Sequence, residues 1–582
     1  MKMIRLCLVI SAICLAACQQ NLQTQNEPKL STKDPLVQQS TKIMMNQVGY
    51  APSSTKIALV TNVNSTHFEV IDITQNKSVL KKRLGPSKLW QDSGLDVQIA
   101  DFSELNTSGT FLIRVDGIDD SITFEITSNP YKPIHDAALK AYYFNRASAA
   151  LPVEFAGPWS RQAAHPDTNV KVHTSAATQQ RPEGYIISSP KGWYDAGDYN
   201  KYIVNSGIST YTLLSAYADF PAFYQQHFGQ IPESSNDIPD ILDEIKWNLD
   251  WMLTMQDPND GGIYHKLTTL RFEGKKMPHN ANAQRYVVKK STSAALNFAA
   301  VMAYASKIYS DIPQYTAFSE QAKFAAVDAW KWALQNPGVT YKNPEDVKTG
   351  QYDDEFLNDE FKWAAAELFL LTQEESYLRR FEQSKSPLNV PSWSNSSALA
   401  HISLLNHGKD QLPSELYQQL KVEFIAFADT IVEQHKDSPA QVAMTTPDYV
   451  WGSNGVAMNK SMVLLQAAKY VKDATAYRTA ASGLLDYVLG RNPTGYNYVT
   501  GFGHKSPMDI HHRQSYADDV VAPIPGFVAG GPHSGRQDGC EYPSAFPAGN
   551  YADTWCSYST NEVTINWNAP FVYVTAAIIN AD

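Results

Sequence analysis

The sequence has few cysteines, no long apolar run and no surplus of positive charge. Only 5 of its 582 residues are Cys, and the formal net charge is -11. Nucleic acids and other anionic polymers are poor partners for an acidic chain, because like charges repel. The chain also has no internal repeat, Walker motif or dinucleotide fingerprint, so nothing in it indicates nucleotide binding. We therefore expect a neutral substrate and no nucleic-acid partner.

The N-terminus has the composition of an export signal. Two basic residues precede an apolar run, residues 6–13, that is too short to span a membrane. Residues 15–18 read Leu-Ala-Ala-Cys, which resembles a bacterial lipobox and implies cleavage before Cys18 and acylation of that residue. A plain signal peptide followed by a free cysteine is the alternative. We predict a signal at residues 1–18 and a secreted protein that is lipid-anchored to a bacterial membrane. The outer membrane is the first expected location and the periplasm is the alternative.

The segment after the signal differs from the rest of the chain. Residues 19–42 are polar and lack aromatics, which is typical of a flexible tether between a lipid and a folded body. Beyond the tether only Cys540 and Cys556 remain, and an exported protein would expose them to an oxidising compartment. We predict a disulfide between them, with two buried free thiols as the alternative.

Two patterns divide the body of the chain. Residues 43–128 contain several short β-branched runs separated by turn signals, which predict a small all-β, immunoglobulin-like sandwich. From residue 129 to residue 582 the periodicity is helical, as in residues 240–255, and no strand alternation is visible. The sequence therefore predicts a mainly α protein whose larger domain is an α-barrel, with long loops gathered at one face.

Two carboxylates stand close together among aromatic residues. Asp195 and Asp198 are three positions apart within residues 192–200, and Gly197 between them permits a tight turn. Such a turn would direct both side chains into one space. Aromatic rings stack on sugar faces while a carboxylate activates water, so the pattern is typical of a glycosidase. An Asx turn at a helix start is the alternative.

Two further segments carry polar groups suited to sugar chemistry. Glu562 lies near Tyr558 and Trp567, and burial among aromatics should raise its pKa and make it a general acid. A glutamate that complements a helix dipole is the alternative. His511 and Arg513 could donate hydrogen bonds to sugar hydroxyls, although a surface loop with incidental bases explains them equally well.

Together these segments resemble glycoside hydrolase family 9. Three signature segments of that family are matched at residues 192–200, 497–513 and 551–569, with Asn497 standing where the family usually has Ser, Thr or Val. Residues 46–50 resemble the start of the immunoglobulin-like module that precedes many of its catalytic domains. The resemblance covers most of the chain and implies an (α/α)6 barrel that inverts the anomeric carbon.

The resemblance also implies roles for individual residues. Asp198 would be the general base, Asp195 would help to hold the attacking water, and Glu562 would protonate the leaving oxygen. His511 and Arg513 match residues that bind sugar beside the cleavage point. The other expected substrate contacts are aromatic: Trp193, Tyr194, Trp451 and Tyr558.

Family members often bind calcium near an Asp-Glu pair at a helix start. Asp359-Glu360 resembles that pair, and its hard oxygen ligands would suit Ca²⁺. An acidic helix N-terminus is the alternative, because the later aspartate that often completes the site is not evident in residues 390–394. We expect no cofactor for the chemistry itself and a structural Ca²⁺ at this pair.

The leading hypothesis is an inverting endo-β-1,4-glucanase, a cellulase that hydrolyses β-1,4-linked glucan chains. An exo-acting β-glucosidase or β-glucosaminidase on short oligosaccharides is a second hypothesis, since loop lengths that block the groove are not visible in sequence. A third hypothesis, from another class, is a non-catalytic glycan-binding surface lipoprotein. The three carboxyls argue against this binder, because binding needs no acid and base.

Overall fold

The structure is a computed structural model that describes residues 42–225 and 230–581. The predicted signal, Cys18 and nearly all of the predicted tether lie outside the described residues. Within residues 42–225 and 230–581, none of the helices combines the length and apolarity needed to cross a lipid bilayer.

The N-terminal part of the described chain is a sandwich of two four-stranded antiparallel sheets. Their orders are β1-β2-β6-β5 and β4-β3-β7-β8. The strands are β1 (Ile43–Met44), β2 (Ile57–Thr61), β3 (His67–Asp72), β4 (Lys77–Arg83), β5 (Lys88–Trp90), β6 (Leu95–Asp101), β7 (Gly109–Arg114) and β8 (Phe124–Ile126). Alternation explains the packing: Phe111 and Ile113 of β7 are buried, while their neighbours point outward. β4 and β5 both lie at sheet edges.

The rest of the chain is mainly helical. Its helices are α1 (Lys132–Phe144), α2 (Val153–Ala156), α3 (Ile203–Asp219), α4 (Pro221–Tyr224), α5 (Asp240–Thr254), α6 (Thr292–Ser310), α7 (Thr316–Gln335), α8 (Asn358–Thr372), α9 (Glu375–Gln383), α10 (Ser397–His407), α11 (Ser414–Asp437), α12 (Ser453–Ala467), α13 (Thr475–Val488), α14 (Arg513–Ala517), α15 (Tyr558–Asn561) and α16 (Ile565–Ile579).

The long helices form two concentric layers. α3, α6, α8, α10, α12 and α16 are buried on nearly every face, whereas α1, α5, α7, α9, α11 and α13 each keep a side that is partly or fully exposed. Helices that are buried all round must lie inside a larger body. The buried helices pack side by side, α3 between α16 and α6, and α8 between α6 and α10. This is the (α/α)6 barrel that the sequence analysis predicted.

A small sheet at the barrel corrects one expectation. Five short strands pair in the order β10-β9-β13-β12-β11, although no strand was predicted after residue 129. They are β9 (Val170–Val172), β10 (Ile186–Ile187), β11 (Lys201–Tyr202), β12 (Lys266–Thr268) and β13 (Tyr286–Val287). Strands of two or three residues are too short to show alternation in sequence. β11 matters for the site, because it directly follows the Asp195–Asp198 turn and leads into α3.

The sandwich is hydrogen-bonded to the barrel. The Asn46 side chain donates to Asp486 at 2.8 Å, and the backbone N–H of Gln47 donates to the Leu489 carbonyl at 2.9 Å. Elsewhere along the boundary, the Thr446 hydroxyl donates a hydrogen bond to the Asp92 carboxylate at 2.5 Å. The described residues accordingly belong to one compact unit.

Candidate active site

The Asp195–Asp198 turn is fixed between β11 and the start of α16. The backbone N–H of Asp195 donates to Asn200, and its carbonyl accepts from the Ile565 N–H at 3.0 Å and the Thr564 hydroxyl at 2.8 Å. These bonds hold the turn against the segment that follows Glu562. Residues far apart in sequence are thus brought together by the closure of the barrel, where α16 packs beside α3.

The Asp195 carboxyl is buried and held from both sides. The Asn205 amide donates to one oxygen at 2.7 Å, and the Tyr352 hydroxyl donates to the other at 2.6 Å. Burial, together with the nearby charge of Asp198, raises the pKa of Asp195 to about 8. This shift favours the protonated form of Asp195 at neutral pH.

Asp198 lies in the same pocket with a different set of partners. Its carboxylate accepts from the Asn200 amide and from the Tyr202 hydroxyl, the latter at 3.1 Å. Burial raises the pKa of Asp198, while the positive charge of Arg513 and these hydrogen bonds act in the opposite direction. Of the two aspartates, Asp198 is the one whose ionised form is stabilised by a cation.

Gly197 occurs in this turn because another backbone lies against it. A Cβ atom built on Gly197 would lie 2.0 Å from the carbonyl oxygen of His511, which is too close for any side chain to fit. Arg513 completes the contact, since its guanidinium donates to the Gly197 carbonyl at 2.7 Å. Close approach of two chains, rather than an unusual dihedral angle, therefore requires glycine here.

Glu562 reaches the same site from the short segment between α15 and α16. It follows α15, its residue forms a parallel bridge with His511, and its carbonyl accepts from the Gly530 N–H at 2.9 Å. Burial raises the pKa of Glu562 well above its usual value, the charge of Asp198 adds to the shift, and Arg513 opposes it. The shift favours the protonated form of the carboxyl, which a general acid requires.

A cavity of about 480 Å³ connects the three carboxyls. Its remaining walls combine aromatic rings with amides and hydroxyls, the usual composition of a sugar-binding groove. The chief side chains that line it besides Asp195, Asp198 and Glu562 are Tyr202, Phe272, Gln351, Tyr352, Trp393, Trp451, Asn459, Thr564, Asn566 and Trp567.

Two of the predicted aromatic contacts are near this cavity. Trp451 lines it and is 43% exposed, so its ring is available to a ligand. Tyr558 packs on Trp451 with ring centroids 5.2 Å apart, and its hydroxyl donates to the Gln537 carbonyl. Tyr558 does not line the cavity itself and acts on it by supporting Trp451.

The other two predicted aromatic contacts lie away from this cavity. Trp193 is fully buried and donates its indole N–H to Glu244 at 2.7 Å, while Tyr194 bonds His165 at 2.7 Å. Neither residue lines the cavity. A backbone bridge between Trp193 and Arg146 directs this part of the chain into the protein core, and the chain turns toward the cavity only at Asp195.

His511 and Arg513 lie beside the cavity lining. The His511 Nδ1–H donates to the Trp555 carbonyl at 2.8 Å, and burial lowers the pKa of His511 to about 4. The imidazole is therefore neutral, with its Nε2 lone pair free to accept from a hydroxyl. The Arg513 guanidinium donates two hydrogen bonds to protein carbonyls, those of Gly197 and Glu273. Arg513 therefore fixes the position of these segments and also supplies a positive charge to the site.

Sequence reasoning missed several lining residues, of which Tyr352 is the most informative. Its backbone adopts a left-handed conformation with φ 49°, which is uncommon for a bulky non-glycine residue. Its ring contacts those of Tyr202 and Trp393. No motif surrounds Tyr352, so its role became visible only when the chain brought it to Asp195.

A disulfide joins Cys540 and Cys556, whose Cα atoms are 6.0 Å apart. It closes the loop immediately before α15 and Glu562. Inside this loop the Asp553 carboxylate accepts from the Asn561 amide at 2.9 Å, next to Glu562 in sequence. The cross-link therefore constrains the segment that delivers the third carboxyl.

The Asp359-Glu360 pair lies at the start of α8 and is buried. The Asp359 Oδ1, Glu360 Oε2 and Asp354 Oδ2 atoms accept no hydrogen bond from an N–H or hydroxyl group, and the Glu360 carboxyl contacts those of both Asp354 and Asp359. Across residues 42–225 and 230–581, however, no group of three or more His, Cys, Asp or Glu side chains is arranged to hold a metal ion. A cation here would need backbone oxygens or water as further ligands, which Ca²⁺ accepts.

Comparison with known proteins agrees with this geometry. Residues 131–575 match the description Glycosyl hydrolase family 9, and residues 38–120 match Cellulase N-terminal ig-like domain. The xyloglucan-specific endo-beta-1,4-glucanase BoGH9A of Bacteroides ovatus is 42% identical, over 92% of this chain and 93% of that protein. Endoglucanase D of Acetivibrio thermocellus is 31% identical, over 93% of this chain and 83% of that protein.

Solved structures show the same similarity. The Bacteroides ovatus GH9 structure superposes with a TM-score of 0.87 at 40% identity, covering 93% of this chain and 99% of that one. AaCel9A, in complex with cellobiose-like isofagomine, superposes with a TM-score of 0.85 at 30% identity, covering 93% of this chain and 100% of that one. With its immunoglobulin-like sandwich, its helical barrel and its three converging carboxyls, the chain belongs to glycoside hydrolase family 9.

Proposed function

We propose that this glycoside hydrolase is an inverting endo-β-1,4-glucanase in which Asp198 is the general base and Glu562 the general acid. The observation that carries the proposal is the meeting of both groups in one cavity with different electrostatic surroundings. Burial raises the pKa of both carboxyls; at Asp198 the charge of Arg513 and two hydrogen bonds oppose that rise, whereas at Glu562 the charge of Asp198 adds to it. A glycosidase needs this division between its two carboxyls.

The reaction follows from these protonation states. Asp198 takes a proton from a water molecule as its oxygen attacks the anomeric carbon, while Glu562 gives its proton to the leaving glycosidic oxygen. The carbon–oxygen bond to the leaving sugar breaks, and the new bond forms on the opposite face, which inverts the configuration. Asp198 ends the cycle protonated and Glu562 ionised, and exchange with solvent restores both.

Asp195 supports the nucleophilic water in this scheme. Because Asn205 and Tyr352 fix its two oxygens, its position relative to Asp198 is set before substrate binds. A neutral Asp195 also adds no second negative charge beside the base. We assign it the role of orienting the water rather than removing its proton.

The endo mode of attack on β-1,4-glucan is supported by the relatives. Two relatives that match over 92% and 93% of this chain are named a xyloglucan-specific endo-beta-1,4-glucanase and an endoglucanase, the first at 42% identity. Stacking surfaces on Trp451, Trp393 and Phe272 surround the carboxyls, as a groove for a glucan chain requires.

The test is a product assay that compares the wild type with Asp198→Ala and Glu562→Gln. Carboxymethylcellulose, xyloglucan, cello-oligosaccharides and chitosan oligosaccharides are incubated while viscosity and released sugars are followed together. We expect a rapid fall in viscosity with mixed oligomers of inverted configuration, and a loss of about 10²–10⁴-fold in each variant with retained binding of cello-oligosaccharides. Release of glucose or glucosamine alone at constant viscosity would overturn the endo assignment.

We also propose that Ca²⁺ binds at Asp359 and Glu360 as a structural ion. Their buried oxygens that accept no N–H or hydroxyl hydrogen bond support this, because an uncompensated buried carboxylate is costly and a cation would offset it. Differential scanning calorimetry with EDTA and with added Ca²⁺ tests the proposal. We expect a Ca²⁺-dependent rise in Tm that the Asp359→Asn variant lacks, and an equal Tm in both buffers would refute it.

Lipid anchoring through Cys18 is a further proposal, supported by the lipobox-like residues 15–18. Labelling of expressing cells with a radioactive fatty acid tests it. We expect label in the wild type and none in Cys18→Ser, and an unlabelled wild-type protein in the culture medium would contradict anchoring.

A further inference from the structure

One loop links the base side of the site to the acid side. Residues 271–276, here the 271–276 loop, follow β12, which pairs with β11 just after Asp198. At its root, the Thr269 N–H donates to Asn200 at 2.9 Å, and Asn200 in turn donates to Asp198. The start of the loop is therefore tied to the general base.

The far end of the loop is attached to the other side by two cations. Arg513 donates to the Glu273 carbonyl at 2.8 Å and its guanidinium lies 5.2 Å from the Phe272 ring centroid. Lys275 places its ammonium 3.8 Å from the centroid of Tyr516 and 4.6 Å from that of Trp555. Such cation–π contacts attract by electrostatics even where they are exposed.

The aromatic pair under Lys275 leads directly to the general acid. Trp555 and Tyr516 are in contact, with centroids 4.8 Å apart, and Trp555 stacks on His511 at 4.3 Å. His511 forms the backbone bridge to Glu562. The positive charge of Lys275 also helps to lower the pKa of His511, although burial is the larger cause.

Lys275 has no ion-pair partner among the described residues, in contrast to Lys276, which pairs with Glu273 at 2.8 Å. The aromatic faces are thus what holds the Lys275 ammonium in place. Phe272, three residues earlier, lines the active-site cavity with 46% of its side chain exposed. Because Lys275 and Phe272 belong to the same short loop, the position of the Lys275 ammonium affects the position of the Phe272 ring in the cavity.

We propose that Lys275 is a positioning residue that clasps the 271–276 loop onto Tyr516 and Trp555 and so holds Phe272 as a stacking face for the leaving glucan chain. This inference rests on the proposed endo-glucanase function. Glu562 protonates the leaving oxygen, so it lies beside the sugars of the leaving chain. His511 bridges Glu562, and Trp555 stacks on His511, so the 271–276 loop that contacts Trp555 is on this leaving side. The ligand of this wall is a neutral pyranose of the leaving chain.

The clasp predicts an effect that depends on the leaving group. Cellohexaose places several glucose units on the leaving side, whereas a 4-nitrophenyl cellotrioside cleaved at its aryl bond places only one small ring there. Lys275→Met keeps the aliphatic stem and removes the charge, Lys275→Arg keeps a cation that stacks on aromatic rings, and Lys276→Met is the matched control from the same loop.

The experiment measures kcat, KM and product distribution for the four proteins on both substrates. We expect Lys275→Met to lower kcat/KM for cellohexaose by about threefold to tenfold, mainly through KM, with less than about a twofold change on the aryl substrate. Lys275→Arg should restore most of the loss, and Lys276→Met should resemble the wild type.

Three results would overturn the clasp: equal losses on both substrates, equal losses in Lys275→Met and Lys276→Met, or an unchanged Lys275→Met enzyme. A wild-type protein that cleaves neither substrate would instead reject the proposed function, and the clasp with it. The two failures are distinct, because an active wild type with an unaffected Lys275→Met variant removes only the clasp.

Discussion

Arg513 should set the pH range in which the enzyme works. Its charge lowers the pKa of both Asp198 and Glu562, against the raising effect of burial. Activity requires Asp198 to be ionised and Glu562 to be protonated, so the acid limb of a kcat/KM profile follows Asp198 and the alkaline limb follows Glu562. Removing the cation raises both pKa values, and both limbs must then move to higher pH.

The size of the shift follows from the position of the guanidinium. Arg513 is only 8% exposed, so solvent screens its charge weakly, and an opposite charge close to a carboxyl typically lowers the carboxyl pKa by about 1–3 units. We expect Arg513→Met to shift both limbs upward by about 1 unit or more. Its kcat should also fall, because the bond to the Gly197 carbonyl is lost.

Arg513→Lys is the control, since it keeps the charge but loses the two-pronged hydrogen bonding. Its kcat should fall while its limbs stay near those of the wild type. The assay is the pH dependence of kcat/KM on a soluble cello-oligosaccharide, with stability checked at every pH. A profile in Arg513→Met that does not move, or moves at one limb only, would refute the electrostatic reasoning.

Other substitutions test the remaining parts of the site. Gly197→Ala should abolish activity and lower stability by about 1–3 kcal/mol, since its methyl group would overlap a backbone oxygen; an active, stable variant on denaturant titration would contradict this packing. Trp451→Ala should raise KM for cello-oligosaccharides without changing Tm, whereas Trp193→Phe should lower Tm and leave KM unchanged; the reverse pattern would restore Trp193 as a substrate contact. Replacing Cys540 and Cys556 by Ser should cost about 3 kcal/mol of unfolding free energy, and equal stability of the two proteins would show that the cross-link is dispensable.

The motifs of the catalytic residues were readable from sequence because each is local. The spacing of Asp195 and Asp198 and the aromatic surroundings of Glu562 are properties of short segments, and both segments lie at the cavity in the structure. The helices were also predictable where their apolar period is long, as in α5 and α6. The very short strands β9–β13 left no such pattern, and neither did the polar edge strand β4.

Which aromatic residues face the substrate was decided by tertiary structure alone. Trp193 and Asp195 are two residues apart, yet one is buried in the core and the other lies in the cavity, because the turn between them changes the direction of the chain. Tyr352 and Lys275 have no motif, since what makes them notable are contacts with distant residues.

The sequence by itself therefore determined the family, the two-part architecture and the identity of the acid and base candidates, all of which are encoded within short stretches. Only the tertiary structure decided how those groups are charged and held. Closure of the barrel buries the carboxyls, brings Arg513 to both Asp198 and Glu562, and sets Tyr352 against Asp195. Burial and long-range contact are properties of the folded chain, and no local pattern records them.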